Sequence, residues 1–296
     1  MASKKILLGD KSVRELLLET LHSNLEKIVV NLKDFTATQN AESLHQYRVA
    51  IRMTRSVCRE FSDFMEEKRQ TLMVKKLKVL QQETNEMRDI DVFLESLDTY
   101  KQLVAQEARA ALEALNETLC VEKARLWKAF EIKYASPCAQ EKVLLWFEQL
   151  KNDEKLCMAK SNEKLFDYSH EILKKRLKKI AKISRKLTLE TPNDVFHALR
   201  LHYKKLRYTS DALGLDTFSK SFKAIQNAFG RVQDKNTQIA HLKDYEAKHG
   251  MCLHEAISLL EEAVSVDKQA CIEKSTVEKI ETIRLELEKI FTCKAV

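Results

Sequence analysis

The sequence predicts an all-α fold, and three observations predict it. The 296 residues include only four glycines and two prolines, too few for the many tight turns of a β-rich or α/β chain. Apolar residues recur every three or four positions along nearly the whole chain, which is the spacing of one buried helix face. The apolar fraction of 44% suits a folded core and exceeds what disordered chains contain.

The apolar spacing predicts four long helices in the first part of the chain: 11–35, 41–67, 69–97 and 101–135. Asn40 or Ser43 is placed to cap the second of them, because the side-chain oxygen can accept a hydrogen bond from a free N–H of the first turn. The stretch "SPCA" at 136–139 is a break. Pro137 suits the start of a short helix at about 139–151, since the first turn needs no N–H from it.

The second part of the chain is predicted to be helical at 161–188, 194–213, 217–249 and 252–294, the last as one long or one broken helix. Pro192 stops one helix and Asp194 is placed to cap the next. Gly214 and Gly250 follow the next two helices, where a left-handed residue commonly ends a helix.

Two stretches share one spacing of basic residues. "HQYRVAIRMTR" at 45–55 and "HALRLHYKKLRY" at 197–208 both read His, two residues, Arg, three residues, Arg or Lys, two residues, Arg. Further on, 80–97 aligns without gaps with 225–242. A basic helix and its successor therefore recur in order. The simplest explanation is a duplicated four-helix unit, with an N-terminal bundle at 1–136 and a C-terminal bundle at 137–296.

Helical geometry gathers the basic residues of each copy into a stripe. At 100° per residue, those of the first copy fall within an arc of about 80°: His45, Arg48, Arg52, Arg55 and Arg59. The opposite side is predicted to face the core: Val49, Met53, Val57 and Phe64. The second copy gives a matching stripe with two flanking residues: His197, Arg200, Lys204 and Arg207, beside Lys205 and Tyr208.

A solvated charged face is the alternative interpretation of such a stripe. Solvent-facing helices usually mix Glu with Lys to gain pairs one turn apart, yet residues 45–59 contain no acidic residue. The planar guanidinium group of Arg also suits two-point binding of phosphate oxygens. The stripes therefore predict a phosphate-rich anionic partner.

A third basic segment lies at 170–190, which holds eight Lys or Arg against two Glu in a chain of net charge +7. Concentrated positive charge indicates nucleic acid, a membrane surface or a phosphorylated polymer as partner. One helical face of this segment carries four cations: Lys174, Lys178, Lys182 and Arg185. It is either a third wall of the anion site or a surface patch.

Other functional classes lack support in the sequence. His45 and His197 have no second ligand at metal-site spacing, so we predict no metal. The Asp89 and Asp91 carboxylates could bind Mg²⁺, but a salt bridge that holds the basic helices is favoured. Phosphate-binding glycine loops and hydrolase motifs are absent from the sequence, so neither enzyme activity nor a cofactor is expected.

The cysteines and the N-terminus indicate the cellular compartment of the protein. None of the seven cysteines forms a C-x-x-C pair, which is typical of reduced thiols that serve as small apolar residues. The N-terminal apolar run of three residues is too short for a signal peptide, and no stretch approaches the ~20 apolar residues of a membrane span. We therefore expect a cytoplasmic protein that does not contact membranes.

The paired motifs resemble those of the CHAD domain family, the conserved histidine α-helical domain. The match consists of "HQYRVAIRMTR" with "NEMRDIDV" and of "HALRLHYKKLRY" with "GRVQD", and it covers about 12–294 as one stand-alone domain. The resemblance implies two four-helix bundles related by a pseudo-twofold axis, with basic residues lining a central channel. It also implies non-catalytic binding of inorganic polyphosphate and an association with polyphosphate granules.

The resemblance carries ten binding positions onto this chain: His45, Arg48, Arg52, Arg55, His197, Arg200, Lys204, Lys205, Arg207 and Tyr208. The stripe geometry adds Arg59, Lys174 and Lys178. The chain departs from the family pattern at Met53, where a second Arg usually follows Arg52, at Asn85, usually Gly, and at Gln233, usually Arg.

Polyphosphate, or another phosphate or sulfate anion, is therefore the expected partner. The alternative is a nucleic-acid-binding helical protein, but aromatic residues amount to only 7%, and none interleaves the first stripe as a stacking platform for bases. A third alternative, an enzyme that cleaves phosphate chains, would release orthophosphate with Mg²⁺ or Mn²⁺, and we expect no release. Oligomeric state is left open by the sequence.

Overall fold

The structure is a computed structural model, and it describes residues 11–134, 136–250 and 252–292. These residues form α-helices joined by short turns, and no strand occurs among them beyond isolated bridges, such as the antiparallel one between Met65 and Cys157. The predicted all-α fold is confirmed. Within the ranges just given, no helix has both the length and the apolar character that crossing a lipid bilayer requires.

The chain divides into two compact units, of which the first spans Ser12–Glu163. Its α-helices are α1 Val13–Thr38, α2 Ala41–Glu60, α3 Glu67–Gln82, α4 Asn85–Leu103, α5 Gln106–Tyr134 and α6 Pro137–Lys151. Short 3₁₀ turns lie at Ser62–Phe64, Glu154–Leu156 and Ala159–Asn162. Helix α1 packs along α2, α2 also packs on α3 and α4, α4 packs on α5, and α6 packs on α1 and α5.

The second unit comprises residues from Lys164 onward together with Lys11. Its α-helices are α7 Leu165–Ser184, α8 Asn193–Ala212, α9 Asp216–Ser221, α10 Lys223–His249, α11 His254–Lys274 and α12 Val277–Thr292. Helix α8 packs on α7, α9 and α10, while α10 packs on α11 and α7 packs on α12.

Both units use the same packing order. In each, the first helix packs on the second and sixth, the second on the third and fourth, and the fourth on the fifth. This order agrees with the duplication that the two motif copies indicate. Each unit has six α-helices among the residues described, where the sequence suggested four, and the pseudo-twofold relation stays a prediction.

The units divide between Glu163 and Lys164, whereas the sequence placed a boundary at 136/137. The intervening segment packs with the first unit: α6 lies against α1 and α5, and the Glu66 N–H donates a hydrogen bond to the Leu156 carbonyl oxygen at 2.9 Å. A Pro at the first turn of a helix marks where a helix starts but carries no information on which unit buries it.

Several predicted helix ends are confirmed. The Asn40 side chain accepts hydrogen bonds from the N–H groups of Glu42 and Ser43 at the start of α2. Pro137 lies in the first turn of α6, and Gly250 ends α10 with a φ of 63°. The predicted cap at Asp194 is wrong, because α8 already begins at Asn193 and has no side-chain cap.

Aromatic contacts join neighbouring helices in both units. In the first unit, Phe35 of α1 lies 5.2 Å from Trp127 and 5.5 Å from Phe130, measured between ring centroids. In the second unit, Phe229 of α10 lies 5.9 Å from Phe196 and 5.6 Å from Tyr203 of α8. Such pairs favour defined ring geometries, so α8 is held at a fixed rotation against α10.

Candidate anion-binding site

The buried face of α2 decides where its basic stripe lies. Leu44, Tyr47, Ile51 and Val57 are at most 1% exposed and define the core side of the helix. At 100° per residue the stripe borders this face directly, with Arg48 and Arg55 nearest the core and His45, Arg52 and Arg59 further out. The basic residues are thus placed at the edge of the core and are partly shielded from water.

The predicted apolar face of α2 is wrong in two positions. Val49 and Met53 are only half-buried, because they lie beyond the stripe on the side away from the core. Phe64 is buried, but it belongs to the 3₁₀ turn that follows α2. Val57 alone of these residues lies on the buried face of the helix, and the sequence reasoning had overlooked Tyr47 and Ile51 at its centre.

Arg48 is held inside the protein. Its side chain is only 6% exposed, and Nη1 donates hydrogen bonds to the Gln81 carbonyl oxygen and to Thr84 Oγ1, both at 2.9 Å. Burial, and next the charge of Arg52, lower the pKa of Arg48 to about 10, so it stays cationic at neutral pH. Arg48 therefore fixes the end of α3 against α2 while adding positive charge to the stripe.

Gln81 of α3 also binds Arg55. Its Nη1 donates a hydrogen bond to the side-chain Oε1 of Gln81 at 2.5 Å. Burial and the neighbouring charge of Arg59 lower the pKa of Arg55. Gln81 thus accepts hydrogen bonds from two arginines, through its main chain and its side chain, and orients both guanidinium groups.

Arg52 and Arg59 are the uncompensated cations of α2. Neither forms a hydrogen bond or an ion pair with any residue that the structure describes. Arg52 is half-buried and its Nε atom is shielded from solvent without a hydrogen-bond acceptor, whereas Arg59 is exposed. An unpaired buried donor is costly, so an anion that reaches Arg52 gains a partner already in place.

His45 lies among cations at the N-terminal end of the stripe. Burial, followed by the charges of Arg88 and Arg52, lowers the pKa of His45 below its ordinary value of 6.5. Arg88 comes from α4, where its Nη1 pairs with Glu95 at 3.1 Å. The sequence reasoning missed Arg88 as a member of this cluster, although it stands in the quoted stretch "NEMRDIDV".

The second stripe lies on α8, which buries Phe196, Leu199, Tyr203 and Leu206 against its unit. At its start, His197 Nδ1 lies 2.5 Å from Gln233 Oε1 on α10. The half-buried residues of this stripe and its flank include Lys204 and Lys205. Helix α8 thus presents the predicted residues together along one edge of its core face.

Both arginines of α8 have carboxylate partners. Nη2 of Arg200 lies 3.4 Å from Asp234 Oδ1 on α10, and Nε of Arg207 lies 3.8 Å from Asp211 Oδ2 one turn further along α8. The Arg207 guanidinium also lies 5.0 Å from the ring centroid of Tyr208, a cation–π contact. Tyr208 is only 5% exposed, so this contact is largely shielded from water.

The cations of α7 point to solvent. Lys174, Lys178, Lys182 and Arg185 are exposed, while Leu177 and its apolar neighbours are buried. Lys174 lies 3.9 Å from a carboxylate oxygen of Glu288 on α12. Because α7 packs on α8, these lysines belong to the same unit as the second stripe.

The two Asp residues of α4 differ in their surroundings. Asp91 is 4% exposed, and its Oδ1 lies 2.5 Å from Lys123 Nζ on α5, a helix that carries neither basic stripe, whereas Asp89 acts through its charge on Arg48 of α2. In the part of the chain that is described, no group of three or more His, Cys, Asp or Glu side chains could hold a metal ion. The central channel implied by the resemblance stays a prediction.

Comparison with known proteins gives one family and a common fold. The family model of the CHAD domain matches residues 19–243. Among solved structures, PptA from Streptomyces chartreusis superposes with a TM-score of 0.68 at 13% identity, covering 94% of this chain and 100% of that one. The CHAD domain from the plant Ricinus communis gives 0.63 at 19% identity, with 95% and 93% covered. No curated protein sequence matches.

Proposed function

Because the chain belongs to the CHAD domain family, which is associated with polyphosphate- and triphosphate-related proteins, we propose that it binds inorganic polyphosphate without cleaving it. One observation carries the proposal. No described carboxylate forms an ion pair with the arginines of α2, although the charge of Asp89 acts on Arg48, and neither Arg52 nor Arg59 donates a hydrogen bond to a described residue.

The arrangement suits a linear polyanion better than a single phosphate. From Arg48 to Arg59 the stripe extends about 16 Å, at ~1.5 Å of rise per residue. Gln81 holds two of the guanidinium groups in place, so less side-chain freedom is lost on binding. A chain of phosphates can contact several cations at once, which adds multivalency and the release of counterions.

The proposal predicts a characteristic dependence on chain length and salt. Affinity should rise from orthophosphate through tripolyphosphate to long polyphosphate, because longer chains contact more cations. It should fall steeply as NaCl is raised, since the binding of each phosphate displaces counterions. Calorimetric titrations at several salt concentrations measure both trends, and equal affinity for all chain lengths would contradict the proposal.

Nucleic acid is the competing ligand, since it also offers a phosphate backbone. Bases need aromatic platforms or base-edge readers for tight single-strand binding, and the α2 stripe carries none between Arg48 and Arg59. At equal phosphate concentration, duplex DNA and single-stranded RNA should therefore leave labelled polyphosphate bound. Displacement by either nucleic acid would favour the alternative function.

The absence of catalysis is part of the proposal and has its own test. Incubation of the protein with long polyphosphate and Mg²⁺ or Mn²⁺ should release no orthophosphate above the rate without protein. Release that depends on the protein would make it an enzyme acting on phosphate chains.

The proposal also places the protein in the cytoplasm, at polyphosphate granules. A fluorescent fusion should coincide with a polyphosphate stain and should disperse when the cells are depleted of polyphosphate. A diffuse signal that does not respond to depletion would contradict this placement.

A further inference from the structure

The two basic stripes are not equivalent. Extending the alignment of the motif copies without gaps pairs their residues position by position: Arg48 with Arg200, Arg52 with Lys204, Arg55 with Arg207, and Arg59 with Asp211. The first three positions are cationic in both helices. The fourth carries a guanidinium in α2 and a carboxylate in α8, so the charge is reversed at the C-terminal end of the second stripe.

Asp211 forms an ion pair with Arg207 but accepts no hydrogen bond from its Nε atom. One carboxylate oxygen, Oδ2, lies 3.8 Å from Arg207 Nε, and the other, Oδ1, accepts a hydrogen bond from Ser219 Oγ on α9 at 2.6 Å. The Asp211 side chain is 32% exposed. The carboxylate is therefore fixed by a neighbouring helix and still open to solvent.

Asp234 plays the same part for the other arginine of α8. Its Oδ1 lies 3.4 Å from Arg200 Nη2, and its side chain is 53% exposed. The Gln233 side chain beside it is directed at His197. In α2, the equivalent of Arg200 is Arg48, which donates to the neutral oxygens of Gln81 and Thr84; Asp89, the residue aligned with Asp234, acts on Arg48 through its charge without forming an ion pair with it.

We propose that Asp211 and Asp234 are built-in counter-ions that compete with polyphosphate for the arginines of α8. The α8 stripe then binds a polyanion less tightly than its number of cations alone would give. This inference rests on the proposed function and adds two competing carboxylates to it. Both carboxylates are partly exposed, so a phosphate can displace them at modest cost.

The size of the effect follows from the nature of these contacts. Exposed ion pairs are weak, so removing one competing carboxylate should raise the affinity for long polyphosphate by about two- to fivefold. Tripolyphosphate, which contacts fewer cations at once than long polyphosphate, should gain less. A purely structural role for the two pairs would instead lower the stability of the unit and leave affinity unchanged or reduced.

The test uses charge-neutral variants and a matched control. Asp211→Asn retains an oxygen that can accept the Ser219 hydrogen bond, and Asp234→Asn removes a carboxylate with no such anchor. Asp244→Asn is the control, because Asp244 lies exposed on the same helix as Asp234 and pairs with Lys248 one turn away. Each variant is titrated with tripolyphosphate and with long polyphosphate.

We expect D211N and D234N to bind long polyphosphate about two- to fivefold more tightly, with a smaller gain for tripolyphosphate and no change in D244N. Equal gains in D244N would show a general charge effect and overturn the inference. No gain in either variant, or an equal gain for tripolyphosphate, would overturn it as well. If the wild-type protein binds neither ligand, the proposed function itself fails. That result differs from the outcomes above, in all of which the wild-type protein binds polyphosphate.

Discussion

The Nη1 atom of Arg48 lies 2.9 Å from the main-chain carbonyl oxygen of Gln81 and donates a hydrogen bond to it. This carbonyl is at the C-terminal end of α3, where it also accepts hydrogen bonds from the Thr84 N–H at 3.2 Å and the Thr84 hydroxyl at 3.0 Å. A guanidinium from α2 thus joins the turn between α3 and α4 to α2. A residue expected to contact the ligand is also part of the fold.

The first prediction separates these two roles. Replacing Arg48 by Ala should lower the free energy of unfolding by about 2 kcal/mol or more, because buried hydrogen bonds to a charged group are lost. Replacing Arg52 by Ala should change it by less than about 0.5 kcal/mol, since Arg52 has no partner among the described residues. Chemical denaturation followed by circular dichroism measures both. Equal losses would contradict the assignment of roles.

The second prediction concerns pH. The pKa of His45 lies below 6.5 because burial, Arg88 and Arg52 disfavour the imidazolium. A bound polyanion favours the charged form, so polyphosphate affinity should rise as the pH falls below about 6.5. His45→Gln should lose this part of the rise, while any change that comes from titration of the ligand itself stays. Identical pH profiles for the two proteins would contradict the prediction.

The lowered pKa of His45 has the opposite consequence for the stability of the free protein, which falls as the pH is lowered. The unfolded His45 takes up a proton at about 6.5, whereas the folded one does so only at lower pH. The stabilising contribution of neutral His45 is therefore complete above this value and is lost as the pH falls through the window between the two pKa values. Denaturation midpoints of wild type and H45Q, measured without ligand, should converge in that window.

The third prediction concerns the ion pair between Asp91 and Lys123. Asp91 is buried, and its Oδ2 atom has no hydrogen-bond partner, so removing Lys123 leaves a buried carboxylate uncompensated. Lys123→Met should lower the free energy of unfolding by about 2–3 kcal/mol, the lower part of the range because Lys123 is 32% exposed. Polyphosphate binding should survive under conditions in which the variant is folded.

A matched control for this variant is Lys101→Met. Lys101 pairs at 3.7 Å with Asp98, whose side chain is 89% exposed, and such pairs contribute about 0–1 kcal/mol. If both variants are destabilised equally, the burial of Asp91 is not the cause.

The fourth prediction concerns the thiols. Burial raises the pKa of Cys58 and of Cys271 to about 12 and also raises that of Cys157, so these thiols are protonated and shielded at pH 8. A thiol reagent should label Cys120 and Cys138, which are exposed, before it labels any of the buried three. Peptide mapping after timed labelling measures the order. Rapid labelling of Cys58 in the folded protein would contradict the burial.

The end of a helix could be predicted from the sequence where local capping residues set it, but not where tertiary packing sets it. Local chemistry places Asn40 at the start of α2 and Gly250 at the end of α10, and both could be read from the sequence. The break between α3 and α4 could not, because "QQETNEM" at 81–87 contains neither Gly nor Pro. That break coincides with the hydrogen bonds from Arg48 to Gln81 and Thr84, which depend on tertiary packing.

The candidate site shows the same division. The spacing of the basic residues predicted which side chains share a stripe on α2 and on α8. It could not predict that Gln81 would hold Arg48 and Arg55, or that Asp211 and Asp234 would pair with the second stripe. Those partners are set by packing between helices, for which the periodicity of a single helix carries no information. The half-buried positions of Val49 and Met53 were missed for the same reason.

The most direct test of the account is the affinity of a variant with both Arg52→Glu and Arg59→Glu for long polyphosphate, measured at low salt. Arg125→Glu is the control, since Arg125 is an exposed arginine of α5 in the same unit, with 69% of its side chain accessible. We expect the affinity of the double variant to be more than about a hundredfold lower, because two charge-assisted contacts are lost. The affinity of the control should fall by less than about threefold, and the helical circular dichroism of both variants should be unchanged. Wild-type affinity in the double variant would contradict the central claim.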